Sequence, residues 1–161
     1  MKRQIAPRKG GKKENTVAKL IVKKSINISA SPLKVWNIIT SPDAIRRWML
    51  VVPVLESDGP LQLGSRIRWN DEHGQTYLSG TVVTLDPPHK LVLALEDISW
   101  TRKARPGEVT YALTLSESEG GTRLEFVLGD LAIDPEGQQW FDAYSASREL
   151  DIIKGMAEGQ P

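Results

Sequence analysis

The sequence predicts an α+β domain in which an antiparallel sheet of about six to seven strands is wrapped on one long C-terminal helix. Three observations carry that expectation. Five segments between Leu63 and Leu128 have the period of strands, and the hairpin-length turns between them make neighbours antiparallel. The chain then closes on one segment with helical spacing. Its 161 residues are 40% hydrophobic and 25% charged, ordinary values for a single domain that buries about 70% of its unfolded surface.

The elements follow in order. Residues 1–19 carry Pro7, Gly10, Gly11 and scattered Lys/Arg with few apolar side chains, so they are expected to form a disordered basic tail. The domain proper is expected over 20–157, with a flexible end at 158–161. Val22, Ile26 and Ile28 fall on alternate positions of a first strand. Ser31-Pro32 opens a helix through Leu33, Val35, Trp36 and Ile39, with Ser as N-cap and Pro in the first turn. Ser41-Pro42-Asp43 breaks it and starts a second short helix through Ala44, Ile45 and Trp48.

The strands that follow are expected at 63–70, 75–85, 90–97, 108–116 and 122–128, bounded by turn residues such as Asp58-Gly59-Pro60, Asp86-Pro87-Pro88 and Arg105-Pro106-Gly107. Alternation puts Ile67 and Trp69, then Leu91, Leu93 and Leu95, on one face. Val109, Tyr111, Leu113 and Leu115 share it, as do Leu124, Phe126 and Leu128. Residues 75–85 have apolar side chains in both phases, so their faces stay unassigned. Arg66, Arg68, Glu96 and Glu125 are out of phase with the apolar face and belong in solvent. Asp134-Pro135-Glu136 then starts a helix of some twenty residues, on which Trp140, Tyr144, Ser147, Leu150 and Ile153 recur at three- and four-residue spacing. It is the only element long enough to cover the sheet.

Composition excludes several chemistries. The chain has no cysteine, which removes disulfides, thiolate nucleophiles and sulfur-held zinc, and fits a reducing compartment. With no apolar secretion signal at the N-terminus, a cytoplasmic location is expected, and no run approaches the roughly 20 apolar residues of a membrane span. Its two histidines, His73 and His89, stand beside turn residues, far from metal-ligand spacing. No metal, cofactor or catalytic residue is therefore expected. The net charge of +1 divides into nine Lys/Arg against Glu14 alone over residues 1–24, or +8, and −7 for the remainder. The tail could bind polyanions nonspecifically, but no recognition helix or RNA-binding signature follows it, so no specific nucleic-acid partner is expected. A solubilising or non-native leader is the simpler reading of that tail.

Several short stretches also stand in a familiar order: Ile26 to Trp36, Ser41-Pro42-Asp43, Trp48, Leu63 to Trp69, Gly80-Thr81-Val82, Asp86 to Leu91 and Gly121 to Leu124. Together they resemble the SRPBCC, or START-like, superfamily over about 20–157, especially the branch similar to the activator of Hsp90 ATPase homologue and to polyketide cyclases. The resemblance implies the helix-grip fold, with a cavity between sheet and C-terminal helix. Leu128 stands where many relatives of this branch carry a histidine. Members bind lipids, hormones or polyketides, cyclise polyketides, or contact a chaperone, and fold alone does not choose among these.

Five tryptophans against two phenylalanines bear on that choice, because large rings with one polar edge suit a cavity wall. The expected function is binding of a small hydrophobic or aromatic molecule by Trp48, Trp69, Trp100, Tyr111, Phe126, Trp140 and Tyr144, with the mouth near Trp48 and the loop 98–107. Trp36 and Trp48 also have a plainer reading, as locks holding the short helices on the sheet. Tyr77 adds a polar tip able to orient a ligand. The alternatives are a protein-interaction module with a chaperone or other protein partner, and a metal-free cyclase-, aromatase- or hydrolase-like enzyme, which would need two polar groups converging in the cavity. Ligand identity and oligomeric state are not readable from the residues.

Overall fold

The computed structural model describes residues 19–159; the rest of the expected tail (1–18) and residues 160–161 lie outside the described residues. Strand β1 (Val22–Ile28) leads into helices α1 (Pro32–Thr40) and α2 (Pro42–Trp48). A two-residue strand β2 (Val54–Leu55) precedes β3 (Arg66–Asn70), β4 (Thr76–Asp86), β5 (Lys90–Asp97), β6 (Thr110–Ser118) and β7 (Gly121–Gly129). A 3-10 turn (Leu131–Ile133) and helices α3 (Gly137–Ser145) and α4 (Glu149–Ala157) close the chain.

The seven strands form one antiparallel sheet in the order β1-β7-β6-β5-β4-β3-β2. This is the α+β, helix-grip arrangement. The first strand returns to pair with the last, Val22 opposite Leu128 and Ile28 opposite Thr122, so the N-terminal segment is stitched into the sheet before the helices begin. Strand β2 escapes the sequence pattern because two residues are too few to show a period.

Local chemistry accounts for the helix starts. The Ser31 hydroxyl accepts from the Lys34 amide at 3.2 Å, and Pro32 and Pro42 occupy first turns, where no amide proton is needed. The apolar faces fall as alternation requires: Ile67, Leu93, Leu113, Leu124 and Phe126 are sealed. Arg66, Glu96 and Glu125 are exposed. Arg68 is half-buried, 3.9 Å from Glu56. The ambiguity in β4 has a physical origin. Gly80 and Val82 face the core and Val83 faces solvent, and a register shift between Val82 and Thr84 then brings Leu85 to the core side opposite Leu91, so apolar residues fall in both phases.

The C-terminal helical element runs from Gly137 to Ala157, but in two nine-residue segments rather than one continuous helix. Neither proline nor glycine interrupts it at Ala146–Arg148. A tertiary contact occupies the interruption: the Lys24 ammonium, reaching across from β1, donates to the Ser147 carbonyl at 2.7 Å and the Tyr144 carbonyl at 3.4 Å. Helix α3 packs on the 3-10 turn and β1, while α4 packs on β1, α1 and α2.

A candidate ligand cavity

Five aromatic residues from four elements line one cavity. Trp69 comes from β3, Tyr77 from β4, Tyr111 from β6, and Trp140 and Tyr144 from α3. Trp100, from the β5–β6 loop, closes the side facing solvent. Each ring has a reason to stand where it does. The Trp69 indole N–H donates to the Val51 carbonyl at 3.0 Å. Gly80 on the neighbouring strand leaves room for the ring, since a Cβ there would lie 3.5 Å from Trp69 and 3.1 Å from Leu95. The Trp100 indole N–H donates to Asp134 Oδ2 at 2.8 Å, tying the loop to the segment that leads into α3. Tyr144 stands edge-on to Tyr111, with centroids 6.4 Å apart, and tilted against Trp140 at 6.2 Å.

The enclosed space is about 40 Å³, room for a few waters at most and well below the roughly 300 Å³ where small-molecule pockets begin. An open groove of about 450 Å³ adjoins it along Thr76–Ser79 and Glu96–Ala104. Tyr77, Leu78, Asp97 and Trp100 belong to both. These four residues stand between groove and cavity, and residues of the loop 98–107 line the groove.

Trp48 does not reach this space. It is almost completely buried under α1, its indole N–H donating to the Ile38 carbonyl at 3.0 Å, so it locks the two short helices together. Phe126 is also set back. It is sealed behind the cavity, its ring 4.9 Å from that of Tyr111, and it supports the wall without being part of it.

The sequence reading missed Glu149. At the start of α4, its carboxylate is 1% exposed. Oε1 accepts from the Tyr111 hydroxyl at 3.0 Å and Oε2 from the Leu50 amide at 2.6 Å. Burial pushes its pKa up to about 7, against the opposing pull of the Leu50 amide, the Tyr111 hydroxyl and Lys24. The Tyr111 hydroxyl is itself held well above its ordinary value, mainly by burial and then by the charge of Glu149. Residues 50 and 51 are thus gripped from two sides, by Glu149 and by Trp69. A signal existed: Glu149 stands one turn before Ile153, on the face of α4 that is buried. An apolar count passes over it because its side chain is charged.

Two carboxylates also border the cavity, Asp97 at the end of β5 and Asp134 before α3. Among the described residues no group of three or more His, Cys, Asp or Glu is placed to hold a metal ion, and no helix is long and apolar enough to cross a membrane.

A family model described as activator of Hsp90 ATPase homolog 1-like protein matches residues 29–154. Solved structures share the fold at low identity. A protein of Mesorhizobium loti, MLL2253, is 18% identical with a TM-score of 0.66 over 88% of this chain and 98% of its own. The Aha1 dimer of Colwellia psychrerythraea is 18% identical with a TM-score of 0.60, over 86% of this chain and 96% of its own. DynU16, from the dynemicin biosynthetic locus, is 16% identical with a TM-score of 0.64; the match covers 89% of this chain and 49% of DynU16. No curated protein sequence matches the chain significantly.

Proposed function

The chain belongs to the activator of Hsp90 ATPase homolog 1-like family, and from that premise we propose that it binds a small hydrophobic or aromatic molecule between the sheet and helix α3. At the level of the family the domain is of a ligand-binding kind. The observation that carries the proposal is the convergence of Trp69, Trp100, Tyr111, Trp140 and Tyr144 on one largely apolar space that adjoins an open groove. Burying such rings around a ligand supplies affinity by area, and their polar edges supply orientation. The resting cavity is too small for a drug-sized guest, so binding requires Trp100 to swing aside and join cavity to groove. That movement breaks its one side-chain hydrogen bond, to Asp134, and uncovers a ring only 9% exposed at rest, so an apolar guest has to cover the ring again to offset the cost.

The test is titration with N-phenyl-1-naphthylamine, an uncharged fluorophore that brightens in apolar surroundings. Saturable one-site brightening at micromolar probe is expected, strengthened in Trp100→Ala, where the indole is gone. If neither the parent nor Trp100→Ala shows saturable brightening, the space is an ordinary packing defect and the proposal fails.

A second reading rests on the Tyr111–Glu149 pair. A cavity-wall hydroxyl bonded to a buried carboxyl with a pKa near 7 is a combination suited to proton transfer at neutral pH. In that reading Tyr111 would relay a proton between a bound substrate and Glu149, as a cyclase-like enzyme would require. Glu149→Gln should then abolish turnover of a bound substrate while retaining its binding; unchanged turnover would remove the reading.

A further inference from the structure

The charged groups around the cavity are all of one sign. Asp97 and Asp134 border it, and among the described residues no Lys, Arg or His does. The cations of the adjoining groove are engaged elsewhere: Arg102 is bonded by two nitrogens to the Glu108 carboxylate, and Lys103 stands 3.5 Å from Glu96. Both oxygens of Asp134 are engaged, Oδ2 by the Trp100 indole and Oδ1 by the Glu136 amide at 2.7 Å. The same is not true of Asp97. Both of its bonds, from the Ser99 amide and the Ser99 hydroxyl at 2.7 Å each, fall on Oδ1, which leaves Oδ2 without a partner among the described residues.

The aromatic wall supplies an independent pointer to a guest. Tyr144 is only 8% exposed and lines the cavity, yet its hydroxyl makes no hydrogen bond among the described residues; Lys24 reaches only its backbone carbonyl. The hydroxyl is therefore free to serve what enters the cavity, and the same lining carries the free Asp97 oxygen. Trp69, Trp100 and Trp140 belong to the same lining, and an indole attracts a cation that settles over its face.

Resting on the ligand-binding reading above, we infer that the ligand carries a positive charge: it is a hydrophobic or aromatic amine or quaternary ammonium, its cation held by Asp97 and the tryptophan faces and its apolar body lying towards Tyr111 and Tyr144. Burial first, and then the charges of Asp134 and Glu136, raise the pKa of Asp97 against the pull of its bonds to Ser99. A bound cation would relieve that repulsion. A bare metal ion suits the site poorly, because it seeks several oxygen ligands at once, whereas an ammonium on an aromatic skeleton uses one carboxylate and ring faces together.

The experiment is displacement of N-phenyl-1-naphthylamine by three compounds sharing one indole skeleton: tryptamine, tryptophol and indole-3-acetate. Tryptamine is expected to compete about tenfold more strongly than tryptophol and indole-3-acetate most weakly. The preference for tryptamine should collapse towards unity in Asp97→Asn, which keeps the oxygen that accepts from Ser99, and persist in Asp43→Asn, a change on an almost fully exposed side chain. Equal competition by tryptamine and tryptophol, a preference for the acetate, or a preference unmoved in Asp97→Asn would overturn the charge inference while leaving the cavity reading intact. Failure of the fluorophore itself to bind would overturn both.

Discussion

Glu149 is where burial and hydrogen bonding pull hardest in opposite directions. Its folded pKa of about 7 lies above the ordinary 4.5, so the folded protein keeps the proton to higher pH than the unfolded chain does. The stability tied to this group is fully present below about pH 4.5, declines as pH rises, and is lost once pH has passed through 7. The loss is at most about 3 kcal/mol. Glu149→Gln can still accept from the Leu50 amide and cannot ionise. It is expected to be more stable than the parent at pH 8 by about 1–3 kcal/mol and no more stable at pH 5, as read by urea unfolding at the two pH values. Identical pH profiles for parent and variant would show that another group titrates. The residue-scale pattern was only partly legible: ring size and phase suggested Trp69, Trp100, Tyr111, Trp140 and Tyr144 but equally Trp48 and Phe126, which lie behind the cavity, whereas Asp97, Asp134 and Glu149 look like ordinary solvated acids until their neighbours are known.

Among the elements, the junction between the 3-10 turn and α3 decides where Trp140 and Tyr144 point. Asp130 organises it, one carboxylate oxygen accepting from the Ala132 amide at 3.0 Å and from the Leu20 amide at 2.9 Å. Gly137, the first residue of α3, fits so closely that a Cβ would lie 2.1 Å from the Leu131 carbonyl oxygen and 3.2 Å from a Leu20 methyl. Gly137→Ala is therefore expected to cost about 2 kcal/mol or more, with amide shift changes concentrated around Leu20, Leu131 and Trp140 in two-dimensional NMR spectra. A neutral substitution would mean that α3 can slide on the turn without penalty. The helix start at Asp134-Pro135-Glu136 was visible in the residues; the interruption ten residues later was not, because its partner, Lys24, lies 120 positions away from Tyr144 in the chain.

For the molecule as a whole, one core runs without a break from the sheet through α1, α2 and α4. Ile39 and Ile153 are fully buried on the helical side, as Leu93 and Leu124 are on the sheet. A core of that kind unfolds as a unit. Ile153→Ala should lower stability by about 2–4 kcal/mol, with far-ultraviolet circular dichroism and tryptophan fluorescence reporting the same midpoint. Two separated transitions would show instead that α4 detaches on its own.

Local period, turn chemistry and short motifs were enough for the fold class, the faces of every strand but β2 and β4, the starts of α1 and α2, and the family. The interruption of the C-terminal element, the return of Leu85 to the core side at a register shift, the place of Trp48 and Phe126 behind the cavity, and the meeting of Glu149 with Tyr111 and Leu50 were decided in the folded molecule. These are outcomes of contacts between distant residues. A two- or three-to-four-residue period tells which way a side chain faces within its own element, and it is silent on what another element brings to meet it.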